Sequence, residues 1–314
     1  MAALAANAAF DVAVSDYLGE ASSGKWRNLA KHSIVDFIPP EQLDDWLDAR
    51  RSDLALIVHM GAISATTEPD TDKILRTNFC WSRDLFLWCA KHGVRLIYAS
   101  SAATYGDGGL GFDDDNDPGA LARLRPLNPY GWSKALFDLF AVCRAAEGTA
   151  PPQWAGLKFF NVYGPNEGHK GTMKSVVAQI WPKVAQGETV RLFKSHNPAY
   201  PDGGQLRDFV YVRDAVDVIA WLADNPQVNG VYNLGSGAAR SFKDLAEATF
   251  RSAGREPRID YIDMPEDIRG QYQYYTEARM ERLASAGYPG SSTPLEAGVT
   301  DYVQGFLMTA DGFR

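Results

Sequence analysis

Five short β-branched or apolar runs constrain the fold of this 314-residue chain more than any other feature: FDVAVSD (10–16), DLALIVHMGA (53–62), VRLIYASS (94–101), GLKFFNVYG (156–164) and GVYNLGSG (230–237). Between several of them lie longer stretches with apolar residues at helical spacing, notably 71–92, with Ile74, Leu75, Phe79, Leu85, Phe86 and Trp88, and 130–147. Strands that alternate with helices imply parallel pairing through crossovers, and continuous apolar runs suit strands covered on both faces. The expected class is therefore α/β, with a doubly wound parallel sheet. After residue 164 the texture changes to Gly, Pro and Asn with scattered elements, which predicts a second, smaller lobe. The reading assigns 1–164 to the first domain, with 209–237 returning to it, and 165–208 with 238–314 to the lobe.

Bulk properties narrow the function classes. The net charge is −8, from 31 basic and 39 acidic side chains, and no basic run stands out, so nucleic acid is not an expected partner. Cys80, Cys89 and Cys143 are odd in number and lack metal-ligand spacing, as do the five histidines, so no metal is expected and a reducing cytoplasm fits. The start, MAALAANAAF, has no basic n-region or cleavage signature, and no apolar run is long enough to cross a bilayer.

In open parallel sheets, ligands sit outside the carboxyl ends of the strands. The residues at those ends are Asp16, then His59 to Ala62, then Ser100 and Ser101, then Asn161 to Gly164. Each is polar or small where a core would not demand it. In LNPYGWSKALFD (127–138), Pro129 suits the first turn of a helix, and Tyr130 and Lys134 then share one face. A nearby ammonium favours the phenolate, which would make the pair a proton shuttle; two ordinary surface residues are the alternative.

Three motifs in order, YASSAATYG (98–106), NPYGWSK (128–134) and FNVYGP (160–165), resemble the extended short-chain dehydrogenase/reductase superfamily, the nucleotide-sugar epimerases and dehydratases. HMGAISATTE (59–68), FNVYGPNEGHKGTM (160–173), QLRDFVYVRD (205–214) and YNLGSG (232–237) are similar to the ADP-L-glycero-D-manno-heptose 6-epimerases within it. The resemblance implies a Rossmann-like dinucleotide-binding domain, a substrate-binding lobe, an ADP-sugar substrate and a homo-oligomer. It also implies interconversion of ADP-D-glycero- and ADP-L-glycero-D-manno-heptose by transient oxidation at C6″, in lipopolysaccharide precursor synthesis. One departure is marked: family members open with a strand and Gly-x-x-Gly-x-x-Gly, whereas MAALAANAAF reads as the tail of the helix that follows that turn. The expectation is a first strand absent from this chain, through a truncated or misassigned start.

Family roles carry over residue by residue. Tyr130 is the implied acid/base, Lys134 lowers its pKa and binds the nicotinamide ribose, and Ser101 orients the substrate hydroxyl. Lys170 matches a second acid/base, which suits inversion of a carbinol in two half-reactions. Asp16, Lys25, Asp36, Gly61, Ala62, Asn78, Asn161 and Val162 complete the implied cofactor site. Asp16 favours NAD by bonding a ribose 2′-hydroxyl, while Lys25 matches a lysine that goes with NADP, so NADP is expected and NAD remains open. Arg207 matches a diphosphate ligand, with an Arg207–Asp208 ion pair as the alternative. Asn161 is a further substrate candidate; His169, Lys174, Arg269 and Tyr272 are weaker ones, and RGQYQ (269–273), standing where relatives often have KGRYQ, speaks against a phosphate role for Arg269. Dehydratases usually carry Asp-Glu after the catalytic serine, and here Ala102, Ala103 and Thr104 follow Ser101. Another NAD(P)-dependent nucleotide-sugar epimerase, or a non-catalytic nucleotide-binding protein, are the competing readings.

Overall fold

A computed structural model describes residues 10–66, 68–269 and 272–313. The alanine-rich stretch 1–9, read above as a helix tail, lies outside the described residues. The chain divides into two compact units.

The first unit comprises 1–104, 114–158 and 216–232. Strands β1 (Ala13–Ser15) and β2 (Asp36–Ile38) pair in parallel, Val14 opposite Phe37. A four-stranded sheet follows the order β3 (Leu56–His59), β4 (Arg95–Ser101), β5 (Trp154–Phe159), β9 (Gly230–Leu234). Strands β3 and β4 are parallel, His59 opposite Tyr98. Their continuous apolar runs predict burial, and Leu96, Ile97, Tyr98, Ala155 and Leu157 are fully buried. The helices Trp81–His92 and Pro129–Ala146 bring Phe86 and Phe137 against Tyr98 and Trp154. Each such aromatic side chain contributes about 1.5–3 kcal/mol through the surface it removes from water. A π-helical turn, Leu75–Cys80, precedes Trp81 and carries the buried Asn78.

The second unit comprises 105–113, 159–215 and 233–314. Here β8 (Leu206–Tyr211) sits between β10 (Ala239–Ser241) and β6 (Asn161–Tyr163), antiparallel to the first and parallel to the second. The stretch read as one strand over 156–164 is thus two, broken at Phe160. A separate parallel pair joins β7 (Val190–Phe193) and β11 (Ile259–Ile262). The helices Val176–Gln186, Phe242–Ser252 and Leu295–Tyr302 close the core around Tyr163, Val177, Tyr211, Leu245 and Val299. Gly164 has a left-handed φ of 144°, and a Cβ there would lie 2.4 Å from Val212 Cγ1, so only glycine ends β6 this way.

Candidate active site

Local sequence builds the helix that carries Tyr130. Asn128 caps it, its Oδ1 accepting from Gly131 N at 2.8 Å, and Pro129 occupies the first turn. Gly131 then lets this end approach the turn after β4: a Cβ would fall 2.6 Å from the Ala103 carbonyl oxygen. Tyr130 is consequently held beside Ser101, whose hydroxyl acts to lower the phenol's pKa. Ser101 Oγ accepts from Ala103 N at 3.1 Å, which leaves its own hydrogen to donate.

Lys134, one turn on, is buried and directs Nζ at the Ala99 carbonyl, 2.8 Å away. Burial lowers its pKa to about 8, with Asp138 pulling the other way. The expected depression of the Tyr130 phenol is corrected by the structure. Burial is the largest influence and raises it, the neighbouring Ser101 side chain lowers it, and Asp138 raises it. A buried ammonium with one backbone acceptor has N–H bonds left to give, and that fits the hydroxyls of a nicotinamide ribose.

The remaining cofactor candidates of this unit fall into two groups. Lys25 Nζ lies 2.7 Å from Asp16 Oδ1 and 2.6 Å from the Tyr17 carbonyl, at the end of β1. Asp36 is committed elsewhere, accepting from Trp46 Nε1 at 2.8 Å and Phe37 N at 2.9 Å. Asn78 accepts from Ile63 N at 2.8 Å and donates to Ile63 O at 3.0 Å and Ser133 Oγ at 3.2 Å. Ser133 Oγ donates on to Tyr130 O at 2.7 Å. Asn78 therefore ties the strand-end segment after Gly61 and Ala62 to the Tyr130 helix. His59 packs edge-on to Trp81, meets Ser82 Oγ at 2.9 Å, and is held near pKa 3 by burial first and by Lys134 second. It is a neutral spacer at the end of β3.

In the second unit, Asn161 is exposed and Val162 half-buried on β6. Lys170 is exposed on the turn Gly168–Met173, its N–H bonded to Glu167 O, and His169 is half-buried beside it. The base of this turn is fixed by Glu167, a buried carboxylate that accepts from Ser175 N and Ser175 Oγ, both at 2.6 Å, and from Tyr302 OH at 3.0 Å.

Arg207 and Asp208 do not pair among the described residues. Adjacent strand residues face opposite sides. Asp208 accepts from Ser236 N, Ser236 Oγ, Gly237 N and Ala278 N at 2.6–2.9 Å. The Arg207 guanidinium is buried between the rings of Tyr272, at 5.0 Å, and Phe242, at 5.6 Å, and donates to Leu206 O. Burial lowers its pKa, so this cation is held away from water without a described carboxylate partner. Arg269 Nε donates to Met264 O at 2.7 Å; Gly270 and Gln271 of the RGQYQ stretch lie outside the described residues.

Sequence reading missed three buried groups: Glu167, Asp138 and Lys158. Lys158 Nζ and Asp138 Oδ2 lie 2.7 Å apart with both side chains fully buried. For Lys158 and Asp138 the available signal was an ionisable residue inside an otherwise apolar pattern, but nothing signalled their pairing.

The NAD dependent epimerase/dehydratase family matches residues 4–235. The chain belongs to this family. A relative from Nitratidesulfovibrio vulgaris (strain DP4), named ADP-L-glycero-D-manno-heptose-6-epimerase, is 50% identical over 305 residues, covering 96% of this chain and 92% of the relative. A relative of the same name from Fusobacterium nucleatum is 44% identical over 311 residues, with the same coverage. The solved ADP-L-glycero-D-manno-heptose-6-epimerase of Helicobacter pylori superposes with a TM-score of 0.75 at 27% identity, over 94% of this chain and 87% of that one. Membership in the NAD dependent epimerase/dehydratase family makes this an α/β epimerase fold with a nucleotide-sugar substrate and a nicotinamide cofactor.

Proposed function

We propose that this protein interconverts ADP-D-glycero-D-manno-heptose and ADP-L-glycero-D-manno-heptose at C6″, using NADP. The observation that carries the reading is the placement of Ser101, Tyr130 and the buried Lys134 together at the end of β4, in a chain 50% identical to a relative of that name. A nicotinamide held here would supply the hydride acceptor and donor for C6″. Tyr130 removes the hydroxyl proton as hydride leaves, Ser101 holds that oxygen, and Lys134 binds the ribose and supplies positive charge beside the developing phenolate. Lys170 acts as acid/base on the opposite face. Two bases let one carbinol be oxidised from one side and reduced from the other, so no net oxidant is consumed.

Arg207 takes the substrate diphosphate, with Tyr272 against the guanidinium and Asn161 and His169 as further substrate contacts. Gly61, Ala62, Asn161 and Val162 line the cofactor by their backbone, and Asp36 helps form the adenine end. Lys25 favours NADP by meeting a 2′-phosphate. We propose a functional division of 1–164 with 209–237, and 165–208 with 238–314, although the second compact unit holds 105–113, 159–164, 209–215 and 233–237. We further propose a cytoplasmic homo-oligomer; among the described residues no helix is long and apolar enough to cross a membrane.

The test is direct: purified protein is incubated with ADP-D-glycero-D-manno-heptose in deuterated water and the sugar is followed by proton NMR. Conversion to the L-glycero epimer without deuterium at C6″ is the expected result. Turnover of a UDP-sugar in preference to the ADP-heptose would displace the reading.

A further inference from the structure

Behind Ser101 runs a chain of side chains whose polarity is fixed by a lysine. Lys158 on β5 donates to Asp138 Oδ2 at 2.7 Å and to Thr104 Oγ1 at 2.7 Å. An ammonium has no lone pair, so the Thr104 hydroxyl must accept this bond and turn its own hydrogen elsewhere. That hydrogen goes to the Ser101 carbonyl, at 2.8 Å. Asp138 is held in turn by Ser100 Oγ at 2.6 Å and Tyr98 OH at 3.1 Å, both from β4. Lys158, Asp138 and Thr104 are all fully buried. A well-packed apolar substitute for such a pair is often at least as stable, so stability alone gives no reason for two charges here.

The consequence falls on Ser101. Its carbonyl is fixed by Thr104 and its Oγ accepts from Ala103 N, so the only freedom left to the hydroxyl is the direction of its hydrogen. We propose that Lys158 is a positioning residue for the proton-transfer site: through Thr104 it holds the Ser101 backbone and so sets where the Ser101 hydroxyl stands beside the Tyr130 phenol. The inference rests on the reading of Tyr130 as the acid/base. Asp138, on the same helix, raises the Tyr130 pKa, and Ser101, from the end of β4, lowers it.

The test measures how strongly Ser101 is coupled to Tyr130. Tyrosines are replaced by 3,5-difluorotyrosine, whose phenol titrates in an accessible range, and the Tyr130 fluorine resonance is assigned by its loss in Tyr130→Phe. In the parent chain Ser101→Ala raises the titration midpoint of this ring. In a Lys158→Met/Asp138→Asn background, which keeps the core neutral, Ser101→Ala is expected to move it far less, while in Lys158→Arg the full shift persists. With ADP-heptose as substrate, the double variant should lose about 10-fold or more in kcat with little change in KM, as misplacing a catalytic group by a fraction of an ångström does, and Lys158→Arg should recover it. A full Ser101→Ala shift in the double background overturns the proposal, as does unchanged kcat. Should the double variant not fold, Thr104→Val removes the relay hydroxyl alone and is read by the same two criteria. A parent chain that fails to turn over ADP-heptose overturns the functional reading, while the fluorine titration still decides the role of Lys158.

Discussion

Lys25 and Asp16 form an ion pair, 2.7 Å between Nζ and Oδ1, so the two side chains proposed for the adenosine ribose are joined to each other. A carboxylate at this position repels a 2′-phosphate, and the lysine offsets that charge. Lys25→Met should therefore weaken NADP binding by at least ~10-fold relative to NAD, from lost charge-assisted bonding and an uncompensated Asp16. Asp16→Asn should move the preference the other way. Titrations with both nucleotides check this, and equal losses for the two would remove Lys25 from 2′-phosphate recognition.

Tyr130→Phe keeps the ring and removes the hydroxyl that Ser101 meets. Epimerisation should fall by at least ~10²-fold, the usual contribution of a positioned acid/base, with an unchanged thermal midpoint. Undiminished turnover would exclude Tyr130 from proton transfer.

These sites differ in how much of them a sequence can carry. The Tyr130 helix was legible because its determinants are local: Asn128 caps, Pro129 starts, and Tyr130 and Lys134 are one turn apart. The parallel strands were legible from their apolar runs, although β6 pairs with β8, and β8 with β10, outside the four-stranded sheet, a choice that depends on partners remote in sequence. The Lys158–Asp138 pair, and Glu167 meeting Tyr302 across 135 positions, were illegible for the same reason. Arg207 and Asp208 show the opposite failure. Their adjacency suggested an ion pair, but strand alternation separates them, and that rule was available from sequence.

His59 predicts an acid-sensitive fold. Its imidazole is held at about 3, against 6.5 when unburied, by burial first and the Lys134 charge second. Between those values the unfolded chain binds a proton that the folded chain excludes, so stability should be complete above pH 6.5 and fall as the pH drops towards 3. The loss amounts to roughly a few kcal/mol by the lower limit. His59→Gln, which can still meet Ser82 Oγ, should flatten this part of the profile. Urea midpoints between pH 4.5 and about 7 measure it, and an identical slope in the variant would assign the acid sensitivity elsewhere.

Lys170 and Arg207 should separate in kinetics. Lys170 is exposed on a turn pinned by Glu167, and Lys170→Met should depress kcat by ~10²-fold or more while NADP binding stays intact. Arg207 is a different kind of cation: buried, set between Tyr272 and Phe242, and with only a backbone carbonyl as described acceptor. Keeping a guanidinium out of water without a counter-ion is costly unless an anion arrives to pair with it. Arg207→Met should accordingly stabilise the free protein or leave it unchanged, because the desolvation cost is removed while the methionine still packs between the two rings. The same change should raise KM for the ADP-sugar by about 10²-fold, through the loss of charge-assisted bonds to the diphosphate, with a much smaller effect on kcat. Thermal melts with and without ADP give a second readout: ADP should raise the melting temperature of the parent and not of Arg207→Met. A variant that melts lower yet keeps its KM and its ADP shift would make Arg207 a packing residue and return the diphosphate to other side chains.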